Sequence, residues 1–299
     1  MPYLDWPEET VSRRDRFEPW YEQSSNICLD FHGDPADADL VVFSDGNHHM
    51  ALKDCLECFQ SQNRELSGIF YATTPPGPIL KMIRTGGLQL GNLTLKVSPH
   101  IFISPPDILK GLQKDGLVQE YHAFVRNQGN VLLVKKDNPR NIKTVADLKR
   151  DGIKLFLSNP ETEKSSYQNY YNTLKSLSGL NNFPDDLIRS GQVVFGKRIH
   201  HREAPQAVAN EDADAAAVFY HLGLRYVRIF PDTFDIVSLG GSIKKPDPLP
   251  GNIIAETCIG LVQDGGKWGR QFISFMKSEK AMKIYRSHGL LPWDSWDNE

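Results

Sequence analysis

Apolar residues in this chain gather into short runs, each broken by a polar or Gly/Pro-rich turn. The run that organises the rest is Leu40–Phe43, followed by Ser44, Asp45, Gly46 and Asn47. Four consecutive apolar residues stopped by such a cluster predict a buried parallel strand and its turn. Beyond the turn, Leu52, Cys55, Leu56 and Phe59 recur at spacings of three and four, the stripe of a helix with one face in a core. Asn47 is the expected N-cap, since its side-chain oxygen can accept a free amide of the first turn. A helix that starts at the carboxyl end of a parallel strand presents unpaired N–H groups and a partial positive charge, a setting for a small anion.

The same grammar recurs. Gly68–Ile83 reads as strand, Pro/Gly loop and helix, with Pro78 placed at a helix start. Strands are expected at Leu93–Val97, His100–Ser104, Asn130–Lys135, Lys154–Leu157, Val193–Phe195, Ala215–Phe219 and Ile253–Val262. Helices are expected from Pro105, after Thr144, and over Tyr167–Leu177, Glu203–Ala209 and Trp268–His288, with further apolar segments at Tyr226–Ile229 and Ile236–Leu239. Strands alternating with helices predict an α/β fold. Residues 1–38 read as an N-terminal extension in which Asn26–Phe31 could add a strand.

Composition narrows the class. A chain of 299 residues, 40% hydrophobic and 24% charged, has the make-up of a globular protein of about two domains. Lys+Arg of 34 against Asp+Glu of 37 offers nucleic acid no basic surface in bulk. There is no run of eighteen apolar residues, so no membrane insertion is expected, and residues 1–23 lack the apolar core of a secretory signal. Cys28, Cys55, Cys58 and Cys258 are too few and too irregular for a disulfide framework.

Several stretches together carry a family resemblance: Val131–Pro139, Ile142–Leu148, Leu157–Glu161, Ala207–Tyr220 and the closing Phe272–Gly289. From about Asp39 to Pro292 the chain resembles bacterial extracytoplasmic solute-binding proteins of the molybdate/tungstate class, with the type II periplasmic-binding-protein fold. The resemblance implies two lobes joined by hinge strands: residues 39–126 with 253–299 in one, residues 127–252 in the other. It implies a ligand held in a cleft by loops at helix starts from both lobes, and closure by hinge bending. Carried over by position, the oxyanion-binding residues are Asn47, Gly77, Ser165, Arg202 in the His201–Pro205 turn, and Tyr220 or its neighbour Phe219. Asn47 and Gly77 stand where the family has Ser, so two hydroxyls are lost. The implied partners are the ion and an ABC-type membrane permease, for a monomeric extracytoplasmic chain that needs no cofactor. The sequence as given shows no export signal, which leaves a cytoplasmic chain open.

Two histidine doublets give a competing reading. His48, His49, His200 and His201, with Glu203 and with Asp45 and His221 near by in sequence, have the chemistry of a zinc- or nickel-type site. Neutral imidazole N–H groups, with Lys197, Arg198 and Arg202, could equally hold an anion. Cys55 and Cys58 have CxxC spacing but lie two turns into a helix, which favours packing over redox chemistry. Glu161 and Glu163 suit a helix start better than an acid/base pair, and Tyr167, Tyr170 and Tyr171 suit lobe packing. No nucleophile, base and orienting group converge as an enzyme requires. A ligand-sensing domain or biosynthetic enzyme on the same fold is the third reading.

Overall fold

The structure is a computed structural model that describes residues 31–293 apart from 74, 75, 91, 92, 181 and 198. The proposed strand at Asn26–Phe31 therefore lies outside the described residues except for Phe31. In chain order the elements are β1 (Phe31–His32), β2 (Leu40–Ser44), a 3-10 turn (Gly46–His48), α1 (His49–Gln62), β3 (Ile69–Thr73) and α2 (Pro76–Thr85). A hairpin, β4 (Leu88–Leu90) and β5 (Leu93–Leu95), leads to β6 (Ile101–Ser104), α3 (Pro106–Lys114) and β7 (Val118–Arg126). Then come β8 (Asn130–Lys135), a 3-10 turn (Val145–Lys149), β9 (Leu155–Leu157), α4 (Lys164–Ser178) and α5 (Asp185–Arg189). The remaining elements are β10 (Val193–Phe195), α6 (His200–Ala209), β11 (Ala215–Phe219), α7 (Tyr220–Ile229), β12 (Phe234–Ser238), β13 (Glu256–Val262), α8 (Gly269–Met276), α9 (Glu279–Ser287) and β14 (Leu291–Pro292).

The described residues form two compact units, Asn127–Ala255 and residues 31–126 with 256–293. The discontinuous unit carries a seven-stranded sheet in the order β1-β3-β2-β6-β13-β7-β14, and β3, β2 and β6 run parallel. All of β2 is buried: Leu40 and Val42 enter a core with α1, α8 and α9, while Val41 and Phe43 enter one with α2 and α3. That is why its sequence is continuously apolar rather than alternating. The other unit has a five-stranded sheet, β10-β9-β11-β8-β12, in which β10, β9 and β11 run parallel, β8 is antiparallel to β11, and β12 is antiparallel to β8. In each sheet the chain leaves the central parallel strand for one neighbour and later returns on its other side. The carboxyl ends of β2 and β9 are therefore topological switch points, where open α/β sheets bind ligands.

Several expected elements differ, among them the helix expected after Thr144, which is a 3-10 turn over Val145–Lys149. The single helix at Trp268–His288 is two helices, because Ser278 turns extended and its side chain accepts from the Ala281 amide at 3.4 Å, which starts a new helix. The strand expected from Ile253 begins at Glu256, because the preceding amides bond to side chains instead of a ladder. Ile253 N donates to Thr173 Oγ1 (3.0 Å) and Ala255 N to Asn127 Oδ1 (2.9 Å).

Asparagines knit the ends of the continuous unit together. Asn252 accepts from Asn130 N at 2.7 Å and donates to Asn130 O (3.0 Å) and Leu239 O (3.1 Å). Gly129 makes room for it: φ is +78° and a Cβ there would lie 2.9 Å from the Asn252 amide. Replacing Asn252 by Ala removes three hydrogen bonds to backbone groups in a site that is 7% exposed, while Leu239 O keeps the Leu249 amide at 3.1 Å. The expected loss in urea unfolding is about 2–4 kcal/mol; a loss below about 1 kcal/mol would mean that water replaces the amide.

Candidate functional site

Each switch point is built from a strand end, a turn and a helix start. In the discontinuous unit the strand ends are Ser44 and Thr73, paired on β2 and β3, and Ser104 on β6, one residue beyond the Ile103 that pairs with Ser44; all three are at most 1% exposed. Ser44 Oγ donates to Asp45 O (3.0 Å), while Thr73 Oγ1 and Ser104 Oγ have no partner. The helix starts of α1 and α3 carry no side-chain cap. Asn47 is not the N-cap expected of it. The chain turns at Asp45, which caps the 3-10 turn, and His48 occupies the cap position of α1, leaving Asn47 half-buried inside the turn. Gly77 is exposed on the first turn of α2, and a Cβ there would meet nothing within 4 Å, so nothing within the unit requires a glycine at that position.

His48 is spent inside the same unit. Its Nε2 lies 3.3 Å from Ser44 Oγ and its Nδ1 3.2 Å from the buried Tyr285 hydroxyl, which ties α9 to the switch point. Asp45 Oδ1 stands 3.3 Å from Nε2, at ion-pair distance but without hydrogen-bond geometry. His49 places Nδ1 3.1 Å from Gly46 O.

In the continuous unit, Ser158 follows β9 fully buried, and its Oγ has no partner. α6 begins at His200, three residues before the expected Glu203, because carboxylates receive its first amides. Glu163 Oε2 accepts from His200 N at 3.0 Å, and Glu203 accepts from Ile199 N (3.1 Å) and Lys197 N (3.0 Å). An acid at a helix N-terminus also meets the positive end of the dipole. Burial pushes the Glu163 carboxyl up to about 7, against the His200 amide bond that lowers it and with help from the Glu203 charge.

The second doublet therefore lies on a helix rather than in a loop. His200 is 2% exposed, packs against Phe156 and Tyr170, and holds Ala217 O at 2.7 Å through Nε2; burial pushes it down to about 4. His201 is held well below its usual range by burial and then by the neighbouring Arg202 and Arg225 charges. Among the described residues no group of three or more His, Cys, Asp or Glu is arranged to hold a metal ion. Arg202 is half-buried on the first turn of α6, Ser165 is exposed on the first turn of α4, and Arg198 lies outside the described residues. Tyr220 opens α7 but donates its hydroxyl to Ile243 O (2.7 Å) and its amide to Gly129 O (2.9 Å), so it is a structural tie. His221 is buried on α7, stacked on Phe219. Cys55 is buried against α9, its thiol pushed up by burial, while Cys58 is half-buried and free.

This layout, two α/β units with polar residues at the carboxyl ends of their parallel strands, has a sequence counterpart. The profile of the bacterial extracellular solute-binding protein family matches residues 40–291. The chain belongs to that family. Members bind solutes and are not enzymes. Among solved structures, the periplasmic molybdate-binding protein of Azotobacter vinelandii is similar at 16% identity over 85% of this chain and 100% of that one, with a TM-score of 0.61. The sulfate-binding protein SubI of Mycobacterium tuberculosis H37Rv follows at 16% identity, 86% and 87% coverage and 0.59. Iron-bound HitA of Pseudomonas aeruginosa gives 15%, 83% of each chain and 0.58. At such identities the likeness is one of fold. No curated protein matches the chain in sequence. Among the described residues of this solute-binding protein, no helix is long and apolar enough to cross a membrane.

The raised Glu163 carboxyl sets a testable pH term. The folded state holds the proton up to about 7 where the unfolded chain releases it near 4.5, so this group's contribution favours folding below 4.5 and is lost as pH rises through 7. Glu163→Gln keeps an acceptor for His200 N and removes the ionisation. It should raise unfolding free energy at pH 8 by on the order of 2 kcal/mol and change it little at pH 4.5. Urea titrations at both values check this, and equal effects at the two would refute it.

Proposed function

We propose that this solute-binding protein captures a small oxyanion of the molybdate, sulfate or phosphate kind, using hydroxyl and amide donors at the carboxyl ends of its parallel strands. One observation carries the reading: Thr73, Ser104 and Ser158 each bury a hydroxyl without a partner at a strand end beside a helix start. An unpaired buried hydroxyl costs about 1–3 kcal/mol, so its place at a switch point is best explained by a partner that arrives with the solute. Oxygen atoms of a compact anion accept from such hydroxyls and from amides at the start of α1, which has no side-chain cap. The molybdate- and sulfate-binding relatives support an oxyanion, and HitA keeps iron in the comparison. The partner on this reading is an ABC-type permease, and the place of action is outside the cytoplasm.

Thermal unfolding with molybdate, tungstate, sulfate, phosphate, zinc, nickel and iron tests the proposal. At a hundredfold excess over Kd the right ion stabilises by about 2.7 kcal/mol. The variant Thr73→Val/Ser104→Ala should leave the ligand-free protein unchanged or up to about 1 kcal/mol more stable, since it removes orphaned groups and no bond. Its oxyanion-induced shift should at least halve. Stabilisation by a metal alone, or an undiminished oxyanion shift in the variant, would overturn the reading.

A further inference from the structure

The outer edge of β7 lacks a full partner strand. On its inner side β7 pairs with β13 from Val118 to Arg126. On its outer side, among the described residues, it meets only β14 at Val125 and Arg126, and the Trp293 amide, which donates to Phe124 O at 3.1 Å. Over Val118–Ala123 no second strand among the described residues takes the outward backbone groups. An edge of this kind accepts a further strand through main-chain hydrogen bonds.

Beside that edge lies a groove of about 260 Å³ between β7 and α8, lined by Glu120, His122, Arg270, Ile273, Ser274 and Lys277. Its helical side is one stripe at spacings of three and four, with Ile273 buried and a cation at each end. Arg270 pairs with Glu120 and donates through Nη2 to Gln119 Oε1 at 2.8 Å. The Arg270 side chain is 60% exposed and that of Glu120 39%, so this pair is weak and can exchange for another carboxylate. Burial, then the Lys277 charge, holds His122 below its usual range against the pull of Glu120. At neutral pH the groove therefore sets Arg270 and Lys277 against Glu120 and is cationic. Glu120 stands level with Ile101, the first residue of β6, through their shared partner Leu261, whereas Ser104 ends β6. The groove is thus separate from the strand-end hydroxyls.

We propose that the Val118–Ala123 edge docks an extended segment of a protein partner with acidic residues at alternate positions: its backbone adds a strand to the sheet and its carboxylates reach Arg270 and Lys277. These two cations lie about 10 Å apart along the helix. Acids two or four residues apart on one face of a strand are about 7 or about 13 Å apart, so one strand can meet both long side chains. A second copy of this chain on the same edge would bring another Arg270 and Lys277 to the same face, and like charges disfavour that pairing. The proposal concerns a partner rather than the solute and does not rest on the oxyanion reading.

Nuclear magnetic resonance of the full chain, titrated with a synthetic heptapeptide that alternates glutamate with valine and threonine, tests it. Without peptide the outward amides of Val118–Ala123 should exchange rapidly with solvent, and peptide at about 1 mM should protect them. A peptide with lysine in place of glutamate, or one N-methylated on its pairing edge, should bind at least about tenfold more weakly. The variant Arg270→Gln/Lys277→Gln should lose a similar factor with the fold unchanged, since both side chains are exposed. Raising salt from about 50 to about 500 mM should weaken the glutamate peptide several-fold. No protection at about 5 mM peptide, equal binding of the lysine or N-methylated peptide, or undiminished affinity in the variant would overturn the proposal. Slow exchange of those amides in the peptide-free monomer, or a dimer in sedimentation equilibrium that protects them, would overturn it too, because the edge would already be taken.

Discussion

A parallel strand buried on both faces can place polar side chains only at its ends, and the rest of this structure follows from that constraint. β2 sends alternate residues into two cores and β9 is likewise fully buried, so neither tolerates a polar group along its length. Polarity collects where each strand meets its helix, at Ser44 and Ser158. The strand order makes those two ends switch points, so topology and chemistry select the same residues. Binding chemistry needs no special architecture here beyond what the buried sheet imposes.

The two edges share this plan but differ in charge. At the end of β2 the helix start lies open and the local acid, Asp45, sits at ion-pair distance from an imidazole. At the end of β9 the first amides of α6 are held by carboxylates. A helix N-terminus is an anion site only until an internal anion fills it, and in the continuous unit one already has. At the strand end itself the unpaired side-chain donor is the Ser158 hydroxyl.

Much of the fold was legible because it follows from periodicity. The apolar runs located most strands, and their alternation with helical stripes gave the α/β class. What the pattern could not show was where long-range bonds cut an element, as Ser278 divides the terminal helix and Asn127 delays β13. The site was less legible. Transfer by position pointed to Asn47 and Gly77, past the ends of β2 and β3, whereas the unpaired buried hydroxyls end β3 and β6 and directly follow β9. A repeated local signal was there to be read. LVVFS, IFYAT, IFIS and LFLS each end an apolar run in Ser or Thr, at 44, 73, 104 and 158. A hydroxyl in that place recurs on three parallel strands of one unit and on one of the other.

The histidine doublets are buried, for a physical reason. Adjacent imidazoles in a polar loop look available, but burial converts them into packing with a polar edge. His200 holds Ala217 O and cannot charge until about pH 4, so its contribution to stability is full above 6.5 and is lost as pH falls from 6.5 toward 4. The Glu163 contribution runs the other way and grows as pH falls from 7 to 4.5. The two groups are joined through one amide, so acidification adds to one as it takes from the other and the local balance changes little.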